Sequence, residues 1–260
     1  MTIKHILVAV SGGEGDRGRI AEAVALAQRH GAQIAALHVK PMLGTYAVGP
    51  SGEMPIALIE AQQRETEERA RAVETMVRSE AAKAGMAIEW YAEEGNEASH
   101  AGVRARYSDL VIAAPDLAHD LVFTSATPVL AFPDAATPAV PRRALIAWNG
   151  SREATHAVRD ALPLMEGTEP VVLVVDPPDG RPIGADLERT LSRHGLKVEV
   201  HERHSDTRNV GDMLLEEAHT VGADLLVMGA YGHSRFREWV LGGATETALK
   251  DAKIPVLLSH

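Results

Sequence analysis

Residues 225–245, LLVMGAYGHSRFREWVLGGAT, combine an apolar run, a glycine turn and the beginning of a helical pattern. The apolar run ends at Gly229, the turn contains Gly232, and nine residues separate that glycine from the pair Gly242 and Gly243. Glycine lets a ligand come close to the main chain, and free N–H groups at a helix start attract negative charge. This order of elements predicts a βα unit that binds an anionic group, most readily a phosphate. Glycine also occurs in many surface turns, so the alternative of an ordinary turn stays open.

The composition is that of a globular protein. The chain has 260 residues, of which 45% are hydrophobic and 24% charged, and this length is sufficient for two domains. Its 36 acidic and 26 basic residues leave a net charge of -10 without a visible basic patch, which argues against a nucleic-acid partner. The absence of cysteine excludes disulfides, thiolate catalysis and thiolate metal sites. No secretory segment and no apolar run near about 18 residues is present, so we expect a cytoplasmic location without a membrane partner.

The sequence contains an internal repeat. Three motifs recur in order, namely residues 6–13 (ILVAVSGG) with 145–151 (LIAWNGS), 108–114 (SDLVIAA) with 223–229 (ADLLVMG), and 127–130 (TPVL) with 254–257 (IPVL). Two copies of one unit are therefore expected, joined by the proline-punctuated linker 133–141. We place a degenerate first domain at residues 1–135 and a second domain, which keeps the glycine motif, at residues 142–260. The first copy is called degenerate because it has no glycine between its fourth and fifth strands.

Hydrophobic periodicity predicts alternating strands and helices in both copies. In the first copy we predict strands 3–10, 34–39, 86–91, 110–113 and 129–132, helices 17–30, 56–84 and 97–106, and a mobile loop at 41–55. In the second copy we predict strands 143–148, 171–175, 198–202, 225–229 and 256–259, and helices 153–165, 183–194, 210–221 and 244–251. This alternation implies parallel, right-handed βαβ units. We expect an α/β fold of two tandem open, mainly parallel five-stranded sheets with helices on both faces, packed as a pseudo-dimer.

The repeated plan, the glycine spacing and the terminal PVL strands together resemble a tandem universal stress protein, with the adenine nucleotide α hydrolase-like fold of that family. Nucleotide-binding members carry G-x-x-G, nine residues, then G followed by Ser or Thr, and an Asp at the tip of the first strand. Gly229, Gly232 and Gly242 match that spacing. The resemblance implies an adenine nucleotide (ATP, ADP or AMP), accompanied by Mg²⁺ only if the nucleotide brings it. It also implies the contacts: phosphates at Gly229, Gly232, Gly242, Gly243 and Ala244, ribose near Asn149, and base near Val174 and Val175.

Two positions of the second copy depart from the family pattern. Gly243 stands where the Ser or Thr would be, and Asn149 stands where the Asp would be. The missing hydroxyl removes one donor to a terminal phosphate, and a lost hydrogen bond to a charged group costs about 1.5 to 3 kcal/mol. The amide of Asn149 can still bond a ribose hydroxyl, without the strength of a charged acceptor. We therefore expect weaker triphosphate binding, with a preference for a smaller ligand.

Several other side chains suggest chemistry. His233, Ser234 and Arg235 lie within the glycine motif and could reach phosphate oxygens, or they could form an exposed polar turn. His201 and His204 could suggest a metal pair. However, residues three apart on a strand face opposite sides, which favours solvated or hydrogen-bonded histidines over a metal site. Further along the motif, Phe236, Trp239 and Val240 form a helical stripe that core packing explains better than a ligand face.

Three functions remain open. The first is a cytoplasmic stress-response protein whose second domain binds an adenine nucleotide in a regulatory role; no positioned general base is evident, so any hydrolysis would be slow. The second is a protein-interaction module with an unknown protein partner and no nucleotide. The third is an adenylating enzyme, because residues 11–16 (SGGEGD) resemble the pyrophosphate loop of ATP pyrophosphatases, although the match is out of step by one residue. Beyond the intramolecular pseudo-dimer, a homodimer is possible.

Overall fold

A computed structural model of the chain describes residues 2–42, 48–49, 52–53, 56–230 and 243–260. The strands are β1 (His5–Ala9), β2 (Gln33–Lys40), β3 (Val48–Gly49), β4 (Gly52–Glu53), β5 (Glu89–Glu94), β6 (Leu110–Ala113), β7 (Val129–Ala131), β8 (Ala144–Ala147), β9 (Val171–Val175), β10 (Glu199–Arg203), β11 (Leu225–Gly229) and β12 (Val256–Ser259). The helices are α1 (Asp16–His30), α2 (Ile56–Lys83), α3 (Glu97–Ala105), α4 (Pro115–Thr124), α5 (Arg152–Met165), α6 (Ile183–Arg193), α7 (Val210–Val221) and α8 (Gly243–Asp251). Among these described helices, none is both long and apolar enough to cross a membrane.

The predicted pair of five-stranded sheets forms the two halves of one ten-stranded sheet. The strand order is β10-β9-β8-β11-β12-β7-β6-β1-β2-β5, and neighbours within each copy run parallel. The halves meet where β12 pairs antiparallel with β7, with Leu257 opposite Leu130. Because of this antiparallel contact, the carboxyl ends of the first copy's strands lie on one edge of the sheet and those of the second copy on the opposite edge. Each copy therefore has its own possible ligand edge.

Both faces of the sheet are covered by helices, as predicted. One apolar cluster packs α1, α2, α5 and α6 on one face, and Phe132 is the largest of its fully buried side chains. A second cluster packs α3, α4, α7 and α8 on the other face. Since strands of a parallel sheet are buried on both sides, they read as nearly continuous apolar runs, which explains why β6, β9, β11 and β12 were predicted with their observed bounds.

Helix α4 was not predicted from the sequence. Its first residue, Pro115, suits a helix start because proline has no N–H to leave unpaired, and Ala118, Leu121 and Val122 form its buried stripe. The strand predicted at residues 86–91 is observed three residues later, as β5, which begins at Glu89. Helix α2 ends at Lys83, so five residues separate it from this strand. Of the predicted mobile loop, residues 43–47, 50–51 and 54–55 lie outside the described residues, and β3 pairs with β4 as a small separate hairpin.

The repeated aspartate of each copy has a structural role. The Asp109 carboxylate accepts the backbone N–H groups of Lys4 and His5, at 2.7 and 3.0 Å. In the second copy, the Asp224 carboxylate accepts the N–H groups of Arg142 and Arg143 just before β8. Each carboxylate stabilises the backbone where its copy's first strand begins. The repeated aspartate therefore has a structural role rather than a role in ligand binding.

Candidate functional site

The second copy's ligand edge begins at the tips of β8 and β11, which are neighbours in the sheet. Asn149 is exposed beyond β8, and its Oδ1 accepts the N–H of Ser151 at 3.0 Å. The Ser151 hydroxyl in turn accepts the N–H of Ala154 at 3.1 Å and caps α5. Gly150 between them has φ +72°, a conformation that glycine adopts without strain. The predicted ribose contact, Asn149, therefore sits at the strand tip while it stabilises this turn.

Gly229 is required for packing, whatever its role towards a ligand. A Cβ at this position would lie 2.4 Å from the backbone nitrogen of Ala154 and 2.5 Å from the carbonyl carbon of Glu153. Those atoms belong to the helix backbone and cannot move aside like a flexible side chain. The first glycine of the motif is thus explained by the contact between β11 and α5.

We expect Gly229→Ala to lower the free energy of unfolding by about 1 to 3 kcal/mol, because overpacking a close backbone contact forces the helix away from the strand. The measurement is urea unfolding followed by circular dichroism. Gly243→Ala is the matched control, since no atom of the described residues lies within 4 Å of a Cβ at that position. Equal stabilities of the two variants would contradict the packing explanation.

The start of α8 is the open part of this edge. Gly243 is the first helical residue, and no atom of the described residues lies within 4 Å of the position that a Cβ would take there. Ala244 follows it and is partly buried, and Thr245 is buried. The first N–H groups of a helix have no partner within the helix and carry partial positive charge. An anion could approach these groups without meeting a side chain of Gly243.

The two predicted base contacts differ in accessibility. Val174 is fully buried, and α6 covers it, since a Cβ on Gly184 would lie 3.2 Å from its Cγ2. Val175 faces the opposite side of the sheet and is partly buried beside the second apolar cluster. Successive strand residues point to opposite faces, so the two side chains cannot line one base pocket together. Because the side chain of Val174 is buried, this residue could contact a ligand at this edge only through its main chain.

The remaining predicted contacts lie outside the described residues. These are Gly232, His233, Ser234, Arg235 and Gly242, and the apolar stripe of Phe236, Trp239 and Val240 lies there too. Their role in binding stays a prediction.

A buried carboxylate lies beneath the second copy's edge. Glu153 is in the first turn of α5, next to Gly229. Burial acts to raise the pKa of Glu153, but its own backbone N–H, Arg152 and His260 outweigh burial and bring the pKa below its usual range. This group therefore carries negative charge at neutral pH. A bound phosphate would have to lie away from it, towards the start of α8.

The first copy supplies its own anion where a ligand would be expected. The Asp16 carboxylate accepts the N–H groups of Gly12 and Gly13 at 2.7 and 3.2 Å. Its other oxygen accepts Nη2 of Arg19 at 3.1 Å, and both side chains are buried. Arg19 also donates Nη1 to the carbonyl oxygen of Phe132 and to the Asp134 carboxylate, at 3.1 and 2.8 Å. Because these donors are already paired, the loop does not offer them to a pyrophosphate, which counts against the adenylating-enzyme alternative.

The sequence did not predict this internal partner: residues 11–16 were interpreted as a possible pyrophosphate loop or as a plain strand-to-helix turn. A detectable signal was present. Asp16 begins a helix shortly after two glycines, and Arg19 follows three positions later on the same helical face.

A cavity of about 830 Å³ opens beside the Asp16 loop. Its walls come from both copies: Ser11, Gly13, Arg19, Ala114, Pro115, Asp116, His119, Pro133, Asp134 and Ala135 from the first copy and linker, and Glu246, Leu249, Lys250, Ala252 and Lys253 from the second. Three carboxylates (Asp116, Asp134 and Glu246) and three basic side chains (Arg19, Lys250 and Lys253) line it. These formal charges balance, so the cavity has no net positive charge that would favour a phosphate.

His201 of β10 and His204, which directly follows the strand, lie next to different carboxylates. Nδ1 of His201 lies 2.6 Å from the Glu217 carboxylate, which also accepts Nη2 of Arg203 at 2.9 Å. His204 is exposed, and its Nδ1 lies 3.8 Å from the Asp176 carboxylate. No cluster of three or more His, Asp or Glu with metal-binding geometry occurs within the described part of the chain.

Comparisons with known proteins agree with this architecture. The model of the universal stress protein family matches residues 2–113 and again 141–260. A universal stress protein of Synechocystis sp. is 37% identical over 75 residues, which are 27% of this chain and 23% of that relative, so the match spans about a quarter of its length.

Two solved structures extend the similarity over the whole chain. A universal stress protein from Archaeoglobus fulgidus DSM 4304 aligns with 98% of this chain and 95% of its own, at 18% identity and a TM-score of 0.77. A putative universal stress protein from Pseudomonas aeruginosa UCBPP-PA14 covers 99% of this chain and 93% of its own, at 15% identity and a TM-score of 0.57. With a family match in each half and the ten-stranded arrangement of two five-stranded units, the chain belongs to the universal stress protein family as a tandem member.

Proposed function

We propose that this protein is a cytoplasmic stress-response protein whose second domain, residues 142–260, binds an adenine nucleotide in a regulatory rather than catalytic role. The phosphates would lie at the start of α8, and the ribose would lie near Asn149. The start of α8 carries this proposal: among the described residues nothing crowds Gly243, and the first N–H groups of a helix, which have no partner within the helix, favour an anion at the carboxyl-end edge that the tips of β8 and β11 share.

A comparison between the copies supports this assignment. The terminal repeat aligns Pro128 with Pro255, and the same offset aligns Asp116 of α4 with Gly243 of α8. In the first copy, the Asp116 carboxylate therefore occupies the first turn of the helix, where an anion would approach. In the second copy, the equivalent position has no side chain. The first turn of α8 still contains one carboxylate, Glu246, so within the described residues the two helix starts differ at the position of Asp116 and Gly243.

A pair of substitutions at Gly243 tests the proposal. Gly243→Ser restores the hydroxyl of the family pattern and should tighten ATP binding about tenfold, since a hydrogen bond to a charged group is worth about 1.5 to 3 kcal/mol. Gly243→Asp places a carboxylate in the same open space and should weaken ATP binding about tenfold or more. The measurement is calorimetric titration with ATP, ADP and AMP.

Asp116→Asn is the matched control for these titrations, because it changes charge at the equivalent position of the other copy. We expect it to leave the ATP affinity within about twofold and the stoichiometry at one. ATP binding that is unaffected by Gly243→Asp would contradict the proposed phosphate position.

The rival function is a protein-interaction module that binds no nucleotide. One observation favours it: the packing of Gly229 against α5 explains that glycine without a ligand. The same titrations distinguish the two functions, because an interaction module would give no heat of binding with any of the three nucleotides at millimolar concentration.

A further inference from the structure

The cavity beside the Asp16 loop lies where open α/β sheets bind their ligands. In the first copy, β2 lies on one side of β1 and β6 lies on the other, so the strand order reverses between β1 and β6. Ligands of such sheets bind beyond the carboxyl ends of the strands at this switch point. Ser11 and Gly13, which follow β1, and Ala114 and Pro115, which follow β6, line the cavity. The cavity therefore occupies the ligand position of the first copy.

The second copy forms another wall of this cavity. Because β12 pairs antiparallel with β7, its first residue Val256 lies opposite Ala131, the last residue of β7. The end of α8, which leads into β12, is therefore at the carboxyl edge of the first copy's strands. Five residues of the second copy line the cavity there, namely Glu246, Leu249, Lys250, Ala252 and Lys253. The cavity is complete only when both copies are present in one chain.

Four charged side chains of the cavity are available to a ligand. These are the carboxylates of Asp116 and Glu246 and the ammonium groups of Lys250 and Lys253, all of them exposed. Among the residues that the structure describes, none of the four takes part in a hydrogen bond or an ion pair. The remaining pair, Arg19 and Asp134, is already joined at 2.8 Å. Two carboxylates and two ammonium groups can thus pair with a ligand that carries both charges.

We propose that this cavity binds a zwitterion whose ammonium and carboxylate groups are well separated, as in an ω-amino acid. Glu246 and Lys250 lie four residues apart on α8, which corresponds to about 6 Å along the helix axis. The two charged groups of ε-aminocaproate are about 7 Å apart when its chain is extended, whereas those of an α-amino acid are only about 2.5 Å apart. The ligand's ammonium group lies towards Asp116 and Glu246, and its carboxylate lies towards Lys250 and Lys253. This inference concerns the first copy's edge and does not depend on nucleotide binding by the second copy.

Three ligands of similar length test the proposed charge pattern. We expect ε-aminocaproate, which carries both charges, to bind at least about threefold more tightly than caproate or hexylamine, which carry one charge each. This ratio should fall as salt is raised, because the four side chains are exposed. Ligand-observed NMR titration of the full chain at low salt measures the three affinities up to millimolar concentrations. If ε-aminocaproate binds no more tightly than the two singly charged compounds, the proposal is wrong.

Lys250→Glu tests the position of the ligand. It replaces an attraction for the ligand's carboxylate by a repulsion, so it should weaken ε-aminocaproate binding about fivefold and make the cavity prefer hexamethylenediamine, which has an ammonium group at each end. A reversed preference cannot result from a loss of folding, and thermal melting checks the fold independently. Lys197→Glu is the matched control, since Lys197 is exposed just before β10, at the far edge of the sheet from β5. Its affinities should stay within about twofold of the unmodified chain. A Lys250→Glu variant that keeps the original preference would overturn the assignment of the zwitterion to this cavity.

Discussion

Asp16→Ala is expected to lower the free energy of unfolding by about 3 to 5 kcal/mol, because it leaves the buried Arg19 without its buried partner. Asp16 and Arg19 are both almost completely inaccessible to solvent. The substitution also removes the acceptor for the N–H groups of Gly12 and Gly13. Arg19 would keep Asp134 and the Phe132 carbonyl oxygen but would lose its buried carboxylate, and the N–H groups of Gly12 and Gly13 would lose their acceptor. The measurement is equilibrium unfolding in urea at pH 7.

The control for this experiment is Asp186→Ala on α6. Asp186 also pairs with an arginine three residues later, Arg189, but both side chains of that pair are more than half exposed. Exposed pairs contribute roughly 0.2 to 1 kcal/mol, so this variant should be close to the unmodified protein. If the two alanine variants are equally stable, the buried pair does not hold the β1–α1 turn.

Glu22→Gln is expected to remove most of a decrease in the free energy of unfolding that we expect as the pH rises from 4.5 to about 7. Glu22 lies on α1 with 2% of its surface exposed, and its Oε2 accepts the N–H of Ala139 in the linker between the copies at 2.9 Å. Burial raises the pKa of the Glu22 carboxyl from 4.5 to about 7, against the lowering effect of the Ala139 N–H and with a further rise from the Asp224 charge. The folded protein therefore holds a proton that the unfolded chain has already released.

The sign of the effect follows from this difference in proton binding. Between pH 4.5 and about 7 the folded state binds more protons than the unfolded state, so stability falls as the pH rises through this interval. At about 1.4 kcal/mol per pH unit, Glu22 removes roughly 3 kcal/mol of stability between pH 4.5 and 8. The Gln side chain keeps an acceptor for Ala139 and cannot ionise, so the variant should lose this decline and be more stable than the unmodified protein at pH 8.

Urea unfolding at pH 5 and pH 8 measures the decline directly. The exposed Glu68→Gln on α2 removes the same charge without removing a buried group, and it should keep the pH dependence of the unmodified chain. A Glu22→Gln variant whose stability still falls by the full amount between the two pH values would show that another group is responsible.

The two copies share a fold but differ in electrostatics at their ligand edges. In the first copy, Asp16 occupies the glycine N–H groups and Asp116 occupies the helix start. In the second copy, no described atom crowds the helix start at Gly243, while Glu153 and the Gly229 contact close the space nearer to α5. We therefore expect one nucleotide per chain, bound at the second copy's edge.

The sequence by itself was sufficient to predict the secondary-structure alternation, the two copies and the α/β class. It did so because buried parallel strands are continuous apolar runs and the motifs recur in order. Where the pattern was less regular, it failed: α4 was missed, and β5 was displaced towards α2. Those errors are local, since a short amphipathic helix and a half-exposed edge strand bury too few residues for a clear period.

Only the tertiary structure decided which groups meet. Asp134 reaches Arg19 across more than a hundred residues, Phe123 of one copy meets His260 of the other, and Gly229 proves to pack against a helix. None of these contacts leaves a periodic trace, because they join positions far apart in the chain, and the contact of Phe123 with His260 depends in addition on how β7 and β12 align. Residue type and spacing determine local conformation and burial, whereas the antiparallel joining of the two halves determines which side chains complete each ligand edge.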